Sequence, residues 1–197
     1  MKILVTGGAG FIGSHTVVEL IRNKFRPVIV DDLRNSKDFI IDNINKITGL
    51  KIPYYAIDFG DKIKLSEVFK KERPSGIIHF AADKAVNESI NNPLKYYHNN
   101  LSNLVTLLSL VDKFKVKSFV FSSSCTVYGS PDKIPVSENA PIKEASSPYG
   151  FTKQVGEKIL NDFFKIIPNS SLAHLRYFNP IGAHPSGLIG ELPIGLP

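Results

Sequence analysis

LVTGGAGFIG, residues 4–13, is the stretch that decides the fold. A short apolar run leads directly into three glycines, Gly7, Gly10 and Gly13, and an amphipathic segment follows them. Glycines here permit a tight turn, a close approach of the backbone to a diphosphate, and close packing of a helix on a strand. The segment therefore predicts a strand, a phosphate-binding loop and a helix whose positive end faces the phosphates. Any tight strand-to-helix turn favours glycine, so the loop alone leaves a purely structural explanation open.

Outward from this loop, short apolar runs alternate with longer amphipathic segments. Strands are predicted at 3–6, 27–31, 54–57, 77–80, 119–122 and 172–176, and helices at 12–22, 65–72, 93–114 and 149–166. The strand runs are β-branched or aromatic with little polar alternation, which is typical of parallel strands buried on both faces. The sequence therefore predicts an α/β fold, a doubly wound parallel sheet with helices on both faces.

Composition sets the wider frame. The chain has 197 residues, of which 43% are hydrophobic and 21% charged, and this suits one globular domain. No apolar run approaches the ~18 residues of a membrane span, and the first residues do not read as a signal peptide. Cys125 is the only cysteine, which excludes an intramolecular disulfide and favours a cytoplasmic location. The net charge of +6 is compatible with an acidic ligand, but the lysines are scattered, which favours solvated helix faces as the explanation. No basic block indicates a nucleic-acid partner.

Acidic side chains follow the second and third predicted strands. Asp31 and Asp32 come roughly 20 residues after the glycines, where a carboxylate can accept hydrogen bonds from the ribose hydroxyls of adenosine. Such a carboxylate repels a 2′-phosphate, so the pattern favours NAD over NADP. Asp58 is placed to face the adenine. Each of these acids could instead cap a helix or lie at the surface.

A Tyr-x-x-x-Lys pattern, Tyr149 and Lys153, follows Ser147-Pro148. Residues four apart on a helix share one face, so Lys153 is expected to lie beside Tyr149. An ammonium there is expected to lower the pKa of Tyr149 and make it a usable acid or base near neutral pH. The pattern by itself is common on protein surfaces.

A run of hydroxyl side chains, Ser122, Ser123 and Ser124, ends the fifth predicted strand. The carboxyl ends of parallel strands open toward the ligand crevice of such a sheet. A serine there can hydrogen-bond a reacting oxygen or pass a proton. Serines that only cap the loop backbone are the alternative for one or two of the three.

The glycine loop, Asp31, Ser124, Tyr149 and Lys153 occur in the order that is typical of short-chain dehydrogenases/reductases. The chain resembles the extended branch of that superfamily, and within it the UDP-glucose 4-epimerases, over its whole length. The residues that carry this similarity are Leu4–His15 (LVTGGAGFIGSH), Ile78–Ser89 (IHFAADKAVNES), Pro93–Asn100 (PLKYYHNN), Phe121–Gly129 (FSSSCTVYG), Ser147–Lys153 (SPYGFTK) and Leu175–Gly187 (LRYFNPIGAHPSG).

The resemblance implies a Rossmann-type fold and a full set of site residues. The implied catalytic residues are Ser124, Tyr149 and Lys153. The implied NAD-binding residues are Gly7, Gly10, Phe11, Ile12, Gly13, Asp31, Asp32, Asn35, Ser36, Asp58, Phe59, Phe80, Ala81, Ala82, Lys84, Asn99, Ser122, Tyr149, Lys153, Tyr177 and Phe178. The implied substrate-binding residues are Lys84, Ser124, Tyr149 and Asn179, and no metal is implied.

The activity that the resemblance implies is the interconversion of UDP-glucose and UDP-galactose, an isomerase reaction of galactose metabolism. Tyr149 takes the proton of the sugar 4-hydroxyl, a hydride moves from C4 to tightly bound NAD, and the 4-keto sugar receives the hydride on its other face. The family also dimerises through helices equivalent to 93–114 and 149–166. An apolar stripe on the first of these could instead pack only on the sheet.

Departures from the family pattern leave alternatives open. Asp83 replaces an apolar residue before Lys84, where it could pair with that lysine and weaken cofactor binding, or could point to solvent. Cys125 replaces an alanine, a change of one small residue for another. The sequence predicts an NAD-binding domain at 1–178 and the truncated start of a substrate-binding region at 179–197, with the C-terminal substrate domain largely absent. A non-catalytic NAD-binding module is therefore an alternative. A nucleotide-sugar 4,6-dehydratase is disfavoured, because Ser124-Cys125-Thr126 lacks the acid that dehydration needs.

Overall fold

The computed structural model describes residues 1–192. The strands are β1 (Lys2–Thr6), β2 (Arg26–Val30), β3 (Tyr54–Tyr55), β4 (Gly76–His79), β5 (Ser118–Ser124) and β6 (Ser171–Tyr177). The helices are α1 (Phe11–Arg22), α2 (Phe39–Thr48), α3 (Lys62–Glu72), α4 (Val86–Asn91), α5 (Pro93–Tyr97), α6 (Asn103–Lys113) and α7 (Pro148–Lys165). A π-helical turn (His98–Ser102) joins α5 to α6, and a 3-10 turn (Cys125–Tyr128) follows β5.

The strands form one parallel sheet in the order β3-β2-β1-β4-β5-β6. β1 is central, since Leu4 pairs with Val28 of β2 on one side and with Ile77 of β4 on the other. The chain winds outward from β1 to β3, returns, and winds outward again from β4 to β6. The switch point between β1 and β4 is where open α/β sheets bind ligands, outside the carboxyl ends of the strands. The predicted doubly wound, Rossmann-type α/β fold is confirmed.

Alternating strand residues bury the two faces of the sheet in separate cores. Leu4 and Phe119 point to a core formed with α3, α6 and α7, while Val5 and Ile29 point to a core formed with α1 and α2. Each face is therefore covered by helices, as the nearly continuous apolar strands require.

The long helix predicted at 93–114 is interrupted. Its middle turn is π-helical, and there the side chain of Asn100 is bonded to the backbone of Asp83 through its Oδ1 (2.9 Å) and its Nδ2 (2.9 Å). The wider turn places Asn99 and Asn100, both buried, toward the carboxyl edge of the sheet. Helices α2 and α4 were not among the predicted elements.

Residues 179–192 return across the first helical layer. Ile189 is 2% exposed within the core of α1 and α2, and Arg22 donates to Nε2 of His184 (3.0 Å). Asn43 of α2 donates to the carbonyl of Leu188 (2.8 Å). The last part of the region predicted to begin a substrate domain, residues 193–197, lies outside the described residues.

Candidate functional site

The loop between β1 and α1 contains two positions, Gly7 and Gly13, that only glycine can occupy. Gly7 has a φ of +70°, and a Cβ there would lie 2.7 Å from the backbone nitrogen of Ala81. A Cβ on Gly13 would lie 2.1 Å from the carbonyl oxygen of Gly7. Gly10 begins α1 without a capping side chain. The N–H groups of the first turn are therefore left to face the crevice, where an anion would be favoured.

Asp31 ties the end of β2 to this loop. Its Oδ2 accepts the amide of Ala9 (2.9 Å), and its Oδ1 accepts the amide of Leu33 (2.9 Å) and the hydroxyl of Ser36 (3.0 Å). Burial raises the pKa of Asp31, and these three hydrogen bonds oppose the increase. The carboxylate is thus held in place next to the predicted phosphate loop.

Arg34 joins three of the predicted cofactor residues. Its Nε donates to Asp32 (2.5 Å), its Nη2 to Asp58 (2.7 Å) and its Nη1 to Asn99 (3.0 Å). The other carboxylate oxygen of Asp58 accepts the amide of Gly60 (2.8 Å). Arg34 was not among the predicted site residues, because it belongs to no recognised motif.

Tyr149 lies in the first turn of α7 and is anchored through its backbone. Ser147 caps the helix by accepting the amide of Gly150 (3.1 Å), and the amide of Tyr149 donates to the buried hydroxyl of Ser89 (3.1 Å). The ring of Tyr149 meets that of Tyr96 edge-on, with centroids 6.5 Å apart. The start of α7 and its contacts with α4 and α5 therefore determine where the phenol of Tyr149 lies.

Lys153 follows one turn later on the same face of α7, as its spacing predicts. It is 4% exposed, and its Nζ donates to the carbonyl oxygen of Ser122 (2.7 Å). The Nζ lies 4.9 Å from the centroid of the Phe121 ring and 5.8 Å from that of Tyr149. Burial lowers the pKa of Lys153 to about 8, although the charge of Glu157 opposes the decrease. The lysine thus titrates near physiological pH.

The pKa of Tyr149 is affected by its neighbour Ser124 and not by the ammonium of Lys153. Burial raises the pKa of Tyr149, and the hydrogen bond with Ser124 lowers it by less. The expectation that Lys153 lowers this pKa is not met, because burial dominates and the ammonium is turned toward Ser122. Ser124, Tyr149 and Lys153 are nevertheless brought together, because the carboxyl end of β5 lies beside the first two turns of α7.

A buried ionic network lies beneath these residues. Glu157, one turn beyond Lys153, accepts the hydroxyl of Ser123 (2.5 Å) and both Nε (2.9 Å) and Nη2 (2.7 Å) of Arg176. Arg176 also donates to the phenol oxygen of Tyr128 (3.0 Å). Burial acts to raise the pKa of Glu157, but the bonds from Arg176 and Ser123 outweigh it and hold the pKa below its usual range. The i to i+4 spacing of Lys153 and Glu157 was a signal that the sequence analysis did not use.

The other predicted site residues occupy different depths of the crevice. Phe80, Ala81 and Ala82 follow β4 and are partly buried, Tyr177 pairs in register with Ser124 and is half-buried, and Phe59 is buried with its ring against His79 (4.9 Å). Asn35, Phe178 and Asn179 are exposed. Lys84 extends into solvent, where it pairs with Glu191 (3.3 Å).

Asp83, which departs from the family pattern, is buried rather than turned to solvent. It is 2% exposed, and its Oδ2 has no hydrogen-bond partner within residues 1–192. Burial raises the pKa of this carboxyl. It does not pair with the neighbouring Lys84, whose ion pair is with Glu191.

Two further kinds of site are not found in the described part of the chain. None of the helices within residues 1–192 combines the length and the apolar character that crossing a bilayer requires. The same residues contain no cluster of three or more His, Cys, Asp or Glu side chains that could hold a metal ion.

Known UDP-glucose 4-epimerases resemble this chain in sequence and in structure. The enzyme of Dictyostelium discoideum is 50% identical over 196 residues, which cover 100% of this chain and 57% of that protein. The enzyme of Bacillus subtilis is 48% identical over 197 residues, which cover 58% of it. The crystal structure of the Bifidobacterium longum enzyme in complex with NAD+ and UDP has a TM-score of 0.97 and 42% identity, over 100% of this chain and 59% of that one.

The chain therefore spans somewhat more than half the length of these relatives. A model of the NAD dependent epimerase/dehydratase family matches residues 3–192. Since that match extends over nearly the whole chain and includes the glycine loop and the Tyr149–Lys153 pair, the chain belongs to the NAD dependent epimerase/dehydratase family.

Proposed function

We propose that this chain binds NAD and carries the catalytic residues for the interconversion of UDP-glucose and UDP-galactose. One observation carries the proposal: Ser124, Tyr149 and Lys153 converge at the carboxyl edge of the sheet, beside a glycine loop suited to a diphosphate. The relatives with this activity are about 50% identical over the same residues.

The backbone and the side chains around the glycine loop suit NAD. The absence of a Cβ at Gly7, where one would meet Ala81 at 2.7 Å, lets the loop lie directly against the end of β4. The uncapped start of α1 offers N–H groups to a diphosphate. Asp31, fixed by three donors, can accept from ribose hydroxyls with its remaining lone pairs. NAD, when bound, supplies the hydride acceptor and donor for the sugar carbon.

The protein's own part of the reaction is proton transfer and positioning. Tyr149 would take the proton of the sugar 4-hydroxyl and later return it, while Ser124 would hydrogen-bond the same oxygen. Because burial raises the pKa of Tyr149, a positive charge brought near the phenol by ligand binding would favour its ionised form. Lys153, with a pKa of about 8, is the nearest group to supply such a charge and can bond the nicotinamide ribose.

The test is a coupled assay that follows UDP-galactose to UDP-glucose, with NAD quantified after denaturation of the purified chain. We expect bound NAD, and turnover that Tyr149→Phe abolishes while retaining the NAD. Tyr97→Phe, the same loss of a hydroxyl on α5, is the matched control and should leave turnover unchanged. Absence of NAD from the wild-type chain would contradict the proposal.

A chain that binds NAD without turnover would instead be the non-catalytic module considered above. This outcome has a physical basis, because the chain spans about 57% of the length of its relatives. Residues 1–178 would then form the NAD-binding domain, and 179–197 the start of a substrate-binding region.

We also infer a cytoplasmic location from the single, unpaired Cys125. Cell fractionation would test it.

We further infer that the chain forms a homodimer through the helices at 93–114 and 149–166. Leu94, Val105 and Phe151 are 76%, 52% and 47% exposed on α5, α6 and α7, although each is apolar. Sedimentation should therefore give a dimer, which Phe151→Glu converts to a monomer. Ile63→Glu, at an exposed apolar position on α3, is the control and should leave the dimer intact. A wild-type monomer would contradict the inference.

A further inference from the structure

Arg34 is held in a strained turn at the carboxyl end of β2. The preceding Leu33 has a φ of 62°, which is uncommon for a residue other than glycine. Asp31 accepts the amide of Leu33 (2.9 Å) and Asp32 accepts the amide of Arg34 (3.1 Å). Two carboxylates thus stabilise a backbone conformation that carries the arginine to the crevice, and strain of this kind is typical of functional positions.

The guanidinium reaches both sides of the crevice. Asp32 and Asp58 follow β2 and β3, whereas Asn99 lies in the π-helical turn that comes after β4. All three partners are residues that the family resemblance assigns to the cofactor. A ligand that contacts them would lie close to Arg34 and could exchange hydrogen bonds with it.

Carboxylates are concentrated around Arg34. Asp32, Asp58 and the buried Asp83 interact electrostatically with the guanidinium, and Asp31 lies next to Asp32. A bound diphosphate would bring two more negative charges, so a cation is favoured here. The two lysines assigned to the cofactor contact other groups in this structure, since Lys84 pairs with Glu191 and Lys153 donates to the carbonyl oxygen of Ser122. Arg34 is in direct contact with two of the carboxylates.

We propose that Arg34 is a further cofactor-binding residue, which offsets these carboxylates and contacts the adenosine diphosphate part of NAD. The inference rests on the proposed function. The side chain is partly exposed, so its hydrogen bond to the neutral amide oxygen of Asn99 can be exchanged for one to the ligand, while the charge-assisted bond to Asp32 keeps the guanidinium at the site. A planar guanidinium suits either a phosphate or the face of an adenine.

Calorimetric titration with ADP, NAD and nicotinamide mononucleotide tests the inference, after NAD that copurifies with the chain has been removed. Arg34→Ala should weaken ADP and NAD by about tenfold at low salt, with a smaller effect at high salt, because a charge-assisted contact is lost. The mononucleotide, which lacks the adenosine, should bind equally to both proteins. Arg34→Lys keeps the charge and should bind ADP more tightly than Arg34→Ala.

Lys37→Ala is the matched control, because Lys37 is an exposed cation three residues further along the same segment. It should leave ADP affinity unchanged, and thermal unfolding should show that all variants are folded. Equal or tighter ADP binding by Arg34→Ala would overturn the role of Arg34 and leave the proposed function intact. Failure of the wild-type chain to bind both ADP and NAD would overturn both.

Discussion

Asp83 shows at the scale of one residue how a charge can oppose folding. Its carboxyl is buried with one oxygen unpartnered within residues 1–192, and burial raises its pKa. Asp83→Asn should therefore raise the free energy of unfolding at pH 7 by about 1 kcal/mol. The bonds from Asn100 go to the backbone of residue 83 and are retained. Urea titration measures the change.

The pH dependence of that difference identifies its cause. A raised pKa in the folded state means that the penalty is absent below the unfolded pKa of about 4 and develops as the pH rises through the folded value. Wild type and Asp83→Asn should therefore converge in stability near pH 3.5. Asp112→Asn, at an exposed position on α6, should show little effect at either pH. A gain that persists unchanged at pH 3.5 would contradict this explanation.

Lys153 affects stability with the opposite pH dependence to Asp83, because its pKa is lowered in the folded state. Its folded pKa of about 8 lies below the usual value of 10.5, so the unfolded chain binds more protons between these pH values. The contribution of Lys153 to stability should therefore increase from about pH 8 to pH 10.5. Lys153→Met should be more stable than wild type at pH 7 by about 1–2 kcal/mol, and the difference should shrink as the pH rises. Unfolding curves at pH 7 and 9.5 provide the measurement, and equal differences at both would contradict it.

Individual residues also show which features of the site can be predicted from the sequence and which cannot. The Tyr149–Lys153 spacing and the acids after β2 and β3 predict which groups meet, because strand ends and helix faces follow from local pattern. The direction of the Tyr149 pKa does not follow, since it depends on burial by Tyr96 and other distant segments. Arg34 was missed because its partners are 2, 24 and 65 positions away.

At the scale of elements, the turn from β1 into α1 contains glycines that differ in how much space a side chain would have. A Cβ at position 13 would lie 2.1 Å from the Gly7 carbonyl oxygen, whereas a Cβ at position 10 would lie 3.3 Å from it. Gly13→Ala should therefore lower the free energy of unfolding by about 3 kcal/mol or more, because the helix must move off the strand. Gly10→Ala should remain folded within about 1 kcal/mol of wild type. Chemical denaturation of both variants measures this, and equal losses would contradict it.

The elements that sequence reasoning missed have identifiable causes. α2 carries its start and stop signals, since Asp38 caps it and Gly49 ends it with a φ of 68°, but its isoleucines are also typical of strands. The break in the helix predicted at 93–114 depends on the bonds of Asn100 to Asp83 and Thr152. Such long-range bonds leave no periodic signal.

At the scale of the molecule, the pair of Glu157 and Arg176 joins α7, β5, β6 and the 3-10 turn after β5. Arg176→Met would leave Glu157 buried with the hydroxyl of Ser123 as its remaining contact in this network. We expect a loss of about 3–5 kcal/mol in the free energy of unfolding. Glu157→Gln combined with Arg176→Met should recover part of it, because no buried charge remains. Urea denaturation of the two variants measures both losses.

A matched control lies on the same helix. Lys158 forms an exposed ion pair with Asp162, so Lys158→Ala should change stability by less than about 0.5 kcal/mol. Equal stability of the single Arg176→Met variant and wild type would show that the network does not join these elements as described.

The overall fold itself was predictable, because alternating buried strands and amphipathic helices admit few arrangements. The order of the strands was not, since it depends on pairings between distant segments.

The return of Ile189 to the core of α1 and α2 has a consequence for synthesis on the ribosome. That core also contains Ile3 and Val5 of β1, so the packing of β1 is completed by a side chain that is made much later in the chain. Chains generally fold during translation as their segments emerge. Here one helical layer keeps an open position until Ile189 has been made, and the nascent chain exposes apolar surface to chaperones for that whole interval.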